Sequence, residues 1–364
     1  MSDAVARVLA FYLPQYHPIP ENDAWWGKGF TEWTNVTKAR PLFQGHCQPR
    51  LPADLGFYDL RVPEVREAQA ELARNHGVEG FCYWHYWFGN GKRLLQRPFE
   101  EVLQSGRPDF PFCLAWANES WSGVWHGACN RILMEQTYPG EVDQAEHFRC
   151  VLRAFRDRRY LRVNGKPLFI VYRPTLLPEP RAFAERWRRW AEAAGLKGLF
   201  LAGVGHEKWK PAAAGFDARI PAEPGCMIRR IPWSLLDRLS WRLFRKRFAP
   251  LLAALRSRPT IYRYETLVAH GLPQELPPET IPSVVPNWDN TPRCGERGAV
   301  FVGATPERFG KMLRQALRSI ASRPFEERLL VIKSWNEWAE GNYLEPDQES
   351  GCRRLEILRG CVVG

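Results

Sequence analysis

Apolar, β-branched and aromatic residues gather into eight short runs: Val8–Tyr12, Gly80–Trp84, Phe112–Trp116, Leu168–Tyr172, Leu199–Val204, Phe216–Ile220, Ser283–Pro286 and Leu329–Lys333. Several are almost continuously apolar, as expected of strands buried on both faces of a parallel sheet. Between them the apolar spacing lengthens to that of a helix, as in Pro63–Asn75, Val142–Arg158, Arg181–Ala194 and Pro306–Ala321. Thr305, Pro306 and Glu307 read as a helix start, with Thr as N-cap and Pro at the first helical position. Strand alternating with helix eight times predicts an α/β fold, a single (β/α)8 TIM barrel. A doubly wound sheet would alternate in the same way, but no GxGxxG follows the first run.

Two connections break the rhythm. Residues 14–61 make a Pro- and Trp-rich stretch after the first strand, too long for a plain βα turn. Residues 221–282 make an insertion after the sixth. With no internal repeat and no low-complexity tract, the chain reads as one domain, 1–364, with two elaborated loops.

Composition narrows the class. At 364 residues, 45% hydrophobic and 25% charged, the chain is an ordinary globular protein of barrel size. Nine scattered cysteines without a CxxC suit reduced thiols better than a disulfide frame or a zinc site. The start, MSDAVARVLAFYLPQYHP, lacks a signal-peptide pattern, and no stretch approaches the roughly 20 apolar residues of a spanning helix. The expected location is cytoplasmic. The net charge of +11 invites a nucleic-acid reading until it is located. Between Arg229 and Arg258 nine Lys and Arg face Asp237 alone, so eight of the eleven charges sit in one segment. No nucleic-acid partner is implied. That segment, 229–258, has Leu235, Leu236, Leu239 and Leu243 at helical spacing, with Trp233 and Trp241. It reads either as a basic amphipathic helix lying peripherally on an anionic inner membrane, or as a lid whose arginines are solvated or grip acidic sugars.

Catalytic groups of a barrel sit at the C-terminal ends of its strands. Those positions hold Tyr12, Gln15, Tyr16 and His17; Trp84, His85, Tyr86 and Trp87; Trp116, Asn118, Glu119 and Trp121; Tyr172; His206; Trp288 and Asp289; and Trp335, Asn336, Glu337, Trp338 and Glu340. Seven of the sixteen tryptophans fall in these clusters. A pyranose has apolar C–H faces and a rim of hydroxyls, and flat indoles beside Asn, Glu and His match both, although aromatics also simply pack cores. The sharpest segment is SWNEWAEG, Ser334–Gly341. Glycosyl transfer needs two carboxyl groups beside one bond. Glu337 and Glu340 supply them, Gly341 allows a sharp turn, and Trp335 and Trp338 are expected to desolvate one of the pair. An ExxE in a solvated loop is the competing reading. Glu119 is a third carboxylate on this rim. His85 and His206 lack metal-ligand spacing, no P-loop or DxD occurs, and neither metal nor cofactor is implied. The Glu337–Glu345 spacing is that of some retaining transferases with two Rossmann halves, which this chain lacks.

The segments FYLPQYHPIPENDAWWGKGFTEWTNV, RPLFQGHCQPRLPADLGFYDLR, GVEGFCYWHYWF, CLAWANESW, PNWDNTPR and SWNEWAEGNYLEPD, in this order, resemble the WbsX-like family, named as glycosyltransferases of bacterial surface-polysaccharide synthesis. The likeness runs from about Val8 to Asp347 and is weakest over residues 225–275. Its barrel is similar to that of the family 99 glycoside hydrolases, the endo-α-mannosidases. That resemblance implies retention through the sugar's own 2-hydroxyl, with Glu337 as its base and Glu340 as acid/base. It also implies Tyr12, Trp84 and Glu119 at the sugar subsite, without carrying over mannose specificity. The leading expectation is a retaining glycosidase or transglycosylase acting on oligosaccharide or polysaccharide in O-antigen, capsule or lipopolysaccharide assembly. A nucleotide-sugar-dependent glycosyltransferase, and a non-catalytic glycan-binding protein of the assembly machinery, are the alternatives.

Overall fold

The computed structural model describes residues 4–123, 132–232, 258–273 and 275–363. Each apolar run forms a strand: β1 Arg7–Tyr12, β2 Gly80–Trp87, β3 Phe112–Trp116, β4 Lys166–Val171, β5 Phe200–Gly205, β6 Ala218–Pro221, β7 Ser283–Val284 and β8 Leu329–Ile332. All neighbours pair in parallel, in the order β6-β5-β4-β3-β2-β1-β8-β7. The remaining seam, β6 to β7, is closed by one bridge, Arg219 to Thr280. There the Arg219 amide donates to the Glu279 carbonyl (2.7 Å) and the Ile281 amide to the Arg219 carbonyl (2.8 Å). The result is the (β/α)8 barrel.

Helices fill the crossovers. α1 (Pro20–Trp26) and α2 (Glu32–Lys38) lie in the long first connection, followed by α3 (Pro63–Asn75), α4 (Arg97–Ser105), α5 (Glu141–Arg156) and α6 (Pro180–Ala193). After β6 come α7 (Gly225–Arg230) and α8 (Tyr264–His270), after β7 α9 (Thr291–Cys294) and α10 (Pro306–Ile320), and after β8 α11 (Arg353–Val362). Thr305 caps α10, its hydroxyl accepting the Arg308 amide at 3.4 Å. Between β5 and β6 the chain makes only a 3₁₀ turn, Ala212–Ala214. Gly215, in the left-handed region at φ +76, ends that turn after three residues.

Strand alternation sorts the side chains. Along β1 and its continuation, Phe11 and Leu13 face the barrel mouth, whereas Tyr12 points outward and its hydroxyl donates to Gln69 of α3 at 2.7 Å. The Val5 amide donates to the Val362 carbonyl (2.9 Å), so the approach to β1 meets the end of α11 at the N-terminal rim of the barrel. Most of the basic segment, residues 233–257, lies outside the described residues, and with it the amphipathic-helix expectation. Among the described residues no helix is long and apolar enough to cross a membrane.

Candidate active site

A cavity of about 430 Å³ opens at the C-terminal ends of the strands, within the usual range for small-molecule sites of about 300–1,000 Å³. Its walls include seven aromatic rings: Phe11, Trp26, Trp84, Tyr86, Trp121, Tyr172 and Trp288. Phe11 stacks flat on Trp84 (4.5 Å between centroids, 1° between planes), and Tyr172 meets Trp84 edge-on at 5.3 Å. Tyr86 packs edge-on against Trp121 at 5.1 Å.

On the same cavity Arg293 holds three carboxylates. Its Nη1 lies 2.7 Å from Glu340 Oε1, and its Nη2 lies 3.0 Å from both Glu337 Oε2 and Glu32 Oε2. Three separate connections deliver these groups. Glu32 opens α2, Arg293 sits in α9 after β7, and the two later glutamates follow β8. The ExxE turn is a hairpin: Asn336–Glu337 pairs with Asn342–Tyr343 around a 3₁₀ turn at Trp338–Glu340. Gly341 closes it at φ +58, where an added Cβ would come within 2.8 Å of the Asp289 Cβ, so both conformation and space call for glycine. The Asp289 amide donates to the Glu340 carbonyl at 2.6 Å, tying the β7 loop to the hairpin.

Electrostatics distinguish the acids. Burial and the charge of Glu340 push Glu337 up to about 7, against the pull of Arg293 and Lys333. Burial alone would lower the Arg293 pKa, but Glu32, Glu337 and Glu340 hold it well above its ordinary value, so it stays cationic. Glu119 pairs with Arg173 at 3.0 Å on the opposite rim.

Of the residues singled out in the sequence, Gln15, Trp84, Tyr86, Glu119, Trp121, Tyr172, His206, Trp288, Glu337 and Glu340 line this cavity. The others do not. Tyr12 is buried against α3, so the subsite role drawn for it does not fit. His85 points to the outside of β2, its Nε2 2.8 Å from His147 Nε2 of α5, beside a separate cleft of about 340 Å³. Burial holds its pKa down at about 3, which keeps the ring neutral. Trp116 also faces outward, its indole donating to the Trp87 carbonyl (2.9 Å). Asn118 braces the loops after β3 and β4, accepting the Arg173 amide at 2.7 Å. Asp289 is a fully buried rivet, with His46 Nε2 2.8 Å and Gln48 Nε2 2.6 Å from its Oδ2 and the Thr291 hydroxyl donating to its Oδ1 at 2.6 Å. Burial would raise its pKa, but these bonds outweigh burial and leave it lowered. Asn336 accepts the Leu13 amide (2.7 Å), locking β1 to the hairpin. Trp335 and Trp338 are core residues. Trp335 packs 5.1 Å from Phe81, and Trp338 stacks on Tyr343 at 3.8 Å and donates to Glu345 at 2.6 Å. Neither lines the cavity. Glu345, in turn, is buried beneath the site, accepting from Gln69, Tyr58 and Trp338.

Sequence reasoning missed Arg293, Glu32, Phe11 and Lys333. The first two lie inside quoted segments, PNWDNTPR and FTEWTNV, and Lys333 ends the eighth apolar run. Among the described residues no group of three or more His, Cys, Asp or Glu is arranged to hold a metal ion.

The barrel is similar to the GH99 endo-alpha-mannosidase from Bacteroides thetaiotaomicron in complex with bis-tris-propane: TM-score 0.59 at 16% identity, covering 97% of this chain and 95% of that one. A second structure of that enzyme gives TM-score 0.53 at 17% identity, covering 98% and 95%. At such identities the likeness is one of fold. Residues 8–358 match the family Glycosyltransferase WbsX, and the chain belongs to that family. The fold is thus GH99-like and the family is Glycosyltransferase WbsX. Uncharacterized protein WxcX of Xanthomonas campestris pv. campestris is 42% identical in strain B100 over 357 residues, and 42% in strain ATCC 33913 over 365 residues. Each comparison covers 97% of this chain but 49% of the relative, so the chain spans about half the length of the curated relatives it matches.

Proposed function

We propose that the chain makes or breaks glycosidic bonds with retention of configuration, through Glu337 and Glu340, during assembly of a bacterial surface polysaccharide. One observation carries this reading: two carboxylates on adjacent nitrogens of one guanidinium, facing an aromatic cavity at the barrel mouth. Glu337 takes the proton of the sugar's 2-hydroxyl, and that oxygen attacks the anomeric carbon. Glu340 gives a proton to the departing oxygen as the glycosidic bond breaks. In the second half Glu340 takes a proton from the acceptor, whose oxygen opens the anhydro-sugar, and Glu337 returns its proton to the 2-oxygen. A carboxyl pushed up to about 7 is a stronger base toward a hydroxyl than an ordinary one. The family description favours a sugar hydroxyl over water as acceptor. Tryptophan and tyrosine faces supply the apolar contact a pyranose ring needs.

The test is turnover of isolated surface glycan, with products followed by mass. Glu337→Gln and Glu340→Gln are each expected to lower it by about 10²–10⁴-fold with the thermal melt unchanged. Wild-type turnover in both variants rules the reading out.

A further inference from the structure

Three cations line the cavity, and two of them are held in ion pairs: Arg293 with three glutamates and Arg173 with Glu119. The third is Lys333, at the end of β8. No ion-pair contact joins it to a described carboxylate, although its charge is felt at Glu337, whose pKa it pulls down. Its half-buried ammonium stands 5.9 Å from the Phe11 ring centre and 6.0 Å from that of Trp84, beside the stacked pair. A weak attraction to ring faces compensates little for removing an ammonium from water.

A second, independent observation lies next to it. Ser283 of β7 is 1% exposed and lines the same cavity, yet its hydroxyl has no hydrogen-bond partner. Register places the two together. Ser283 pairs with Val331, two residues before Lys333 on the same face of β8, and the Lys333 amide donates to the Val284 carbonyl at 2.8 Å. A buried hydroxyl without a partner and an ammonium without an ion-pair contact thus sit on adjacent strands, and both can donate.

Resting on the proposed glycan-active reading, we infer that this corner of the cavity, Lys333 with Ser283, binds an anionic group of the substrate, a carboxylate or a phosphate. An anion satisfies both donors at once: it accepts the Ser283 hydroxyl and pairs with the ammonium in a charge-assisted bond. A neutral sugar hydroxyl would fill the hydrogen bonds but leave the ammonium without an ion-pair contact. The substrate class is thus an acidic sugar, or a sugar carrying phosphate, seated beside Glu337.

Equilibrium calorimetry on the Glu340→Gln variant reads binding without turnover, with glucose, glucuronate and glucose 1-phosphate as probes at fixed salt. At least one anionic probe is expected to bind about tenfold or more tightly than glucose. Preference for glucuronate identifies a carboxylate, and preference for glucose 1-phosphate a phosphate. Adding Lys333→Met is expected to abolish that preference, Lys333→Arg to restore part of it, and Ser283→Ala to weaken the anion by a smaller factor. Equal or absent binding of all three probes, or a preference that survives Lys333→Met, overturns the inference. Turnover by the unsubstituted protein is measured separately, so this failure leaves the proposed function standing.

Discussion

Arg293 stands among Glu32, Glu337 and Glu340, and without it three carboxylates face one another across a few ångströms. Its positive charge is one of the two that hold Glu337 down near 7. In the proposed mechanism Glu337 acts as carboxylate, so kcat/KM rises as pH climbs through about 7. Arg293→Met removes a lowering influence, so the Glu337 pKa rises and the ascending limb shifts to higher pH. A pH–rate profile checks this, and an unmoved limb shows that another group titrates there. At this scale the acids were legible because W-N-E-W-A-E at a strand end is unusual chemistry. Arg293 was not, since nothing local says that an arginine in a short helix after β7 reaches across to groups after β8. Tyr12 was misplaced by one residue of strand alternation: its neighbour Phe11 faces the cavity, and Tyr12 faces α3. Trp335 and Trp338 carry a composition that suits either a sugar platform or a core, and only packing decides between them.

At the scale of elements, the barrel's weakest join is β6 to β7. Elsewhere neighbouring strands share two to five paired positions, but here one bridge closes the ring, helped by Arg219 Nη2 donating to the Thr280 hydroxyl at 2.8 Å. Thr280 is fully buried, so Thr280→Val leaves a guanidinium donor unsatisfied at a cost of about 1–3 kcal/mol. A lower urea midpoint at unchanged slope is the expected result. Hydrogen exchange should find the Ile281 amide less protected than those of β1 and β8. Equal protection contradicts this view of the seam. The sixth strand was also the hardest to bound from sequence. The run Phe216–Ile220 begins two residues before β6, because Phe216 packs edge-on against Trp209 rather than joining the ladder. Without a helix between β5 and β6, the change in periodicity that brackets the other strands is missing there.

For the whole molecule, the alternation of apolar runs and helical spacing was enough to specify the barrel, because several strands are buried on both faces and read as nearly uninterrupted blocks. The chemistry of residues 233–257 is a separate matter, resting on their charge and apolar spacing in the sequence. If that segment meets lipid, the protein co-sediments with phosphatidylglycerol-rich vesicles at low salt and is released as salt screens the attraction. A variant with Arg242, Arg245, Lys246 and Arg247 changed to Gln should remain in the supernatant. Equal partition of the two proteins argues for a lid instead.

The hydrogen bond between Val5 and Val362 has a practical consequence. It gathers the two extremities of the described chain on the side facing away from the cavity. Either extremity is therefore a handle for oriented immobilisation: a bead or chip coupled there leaves the mouth clear.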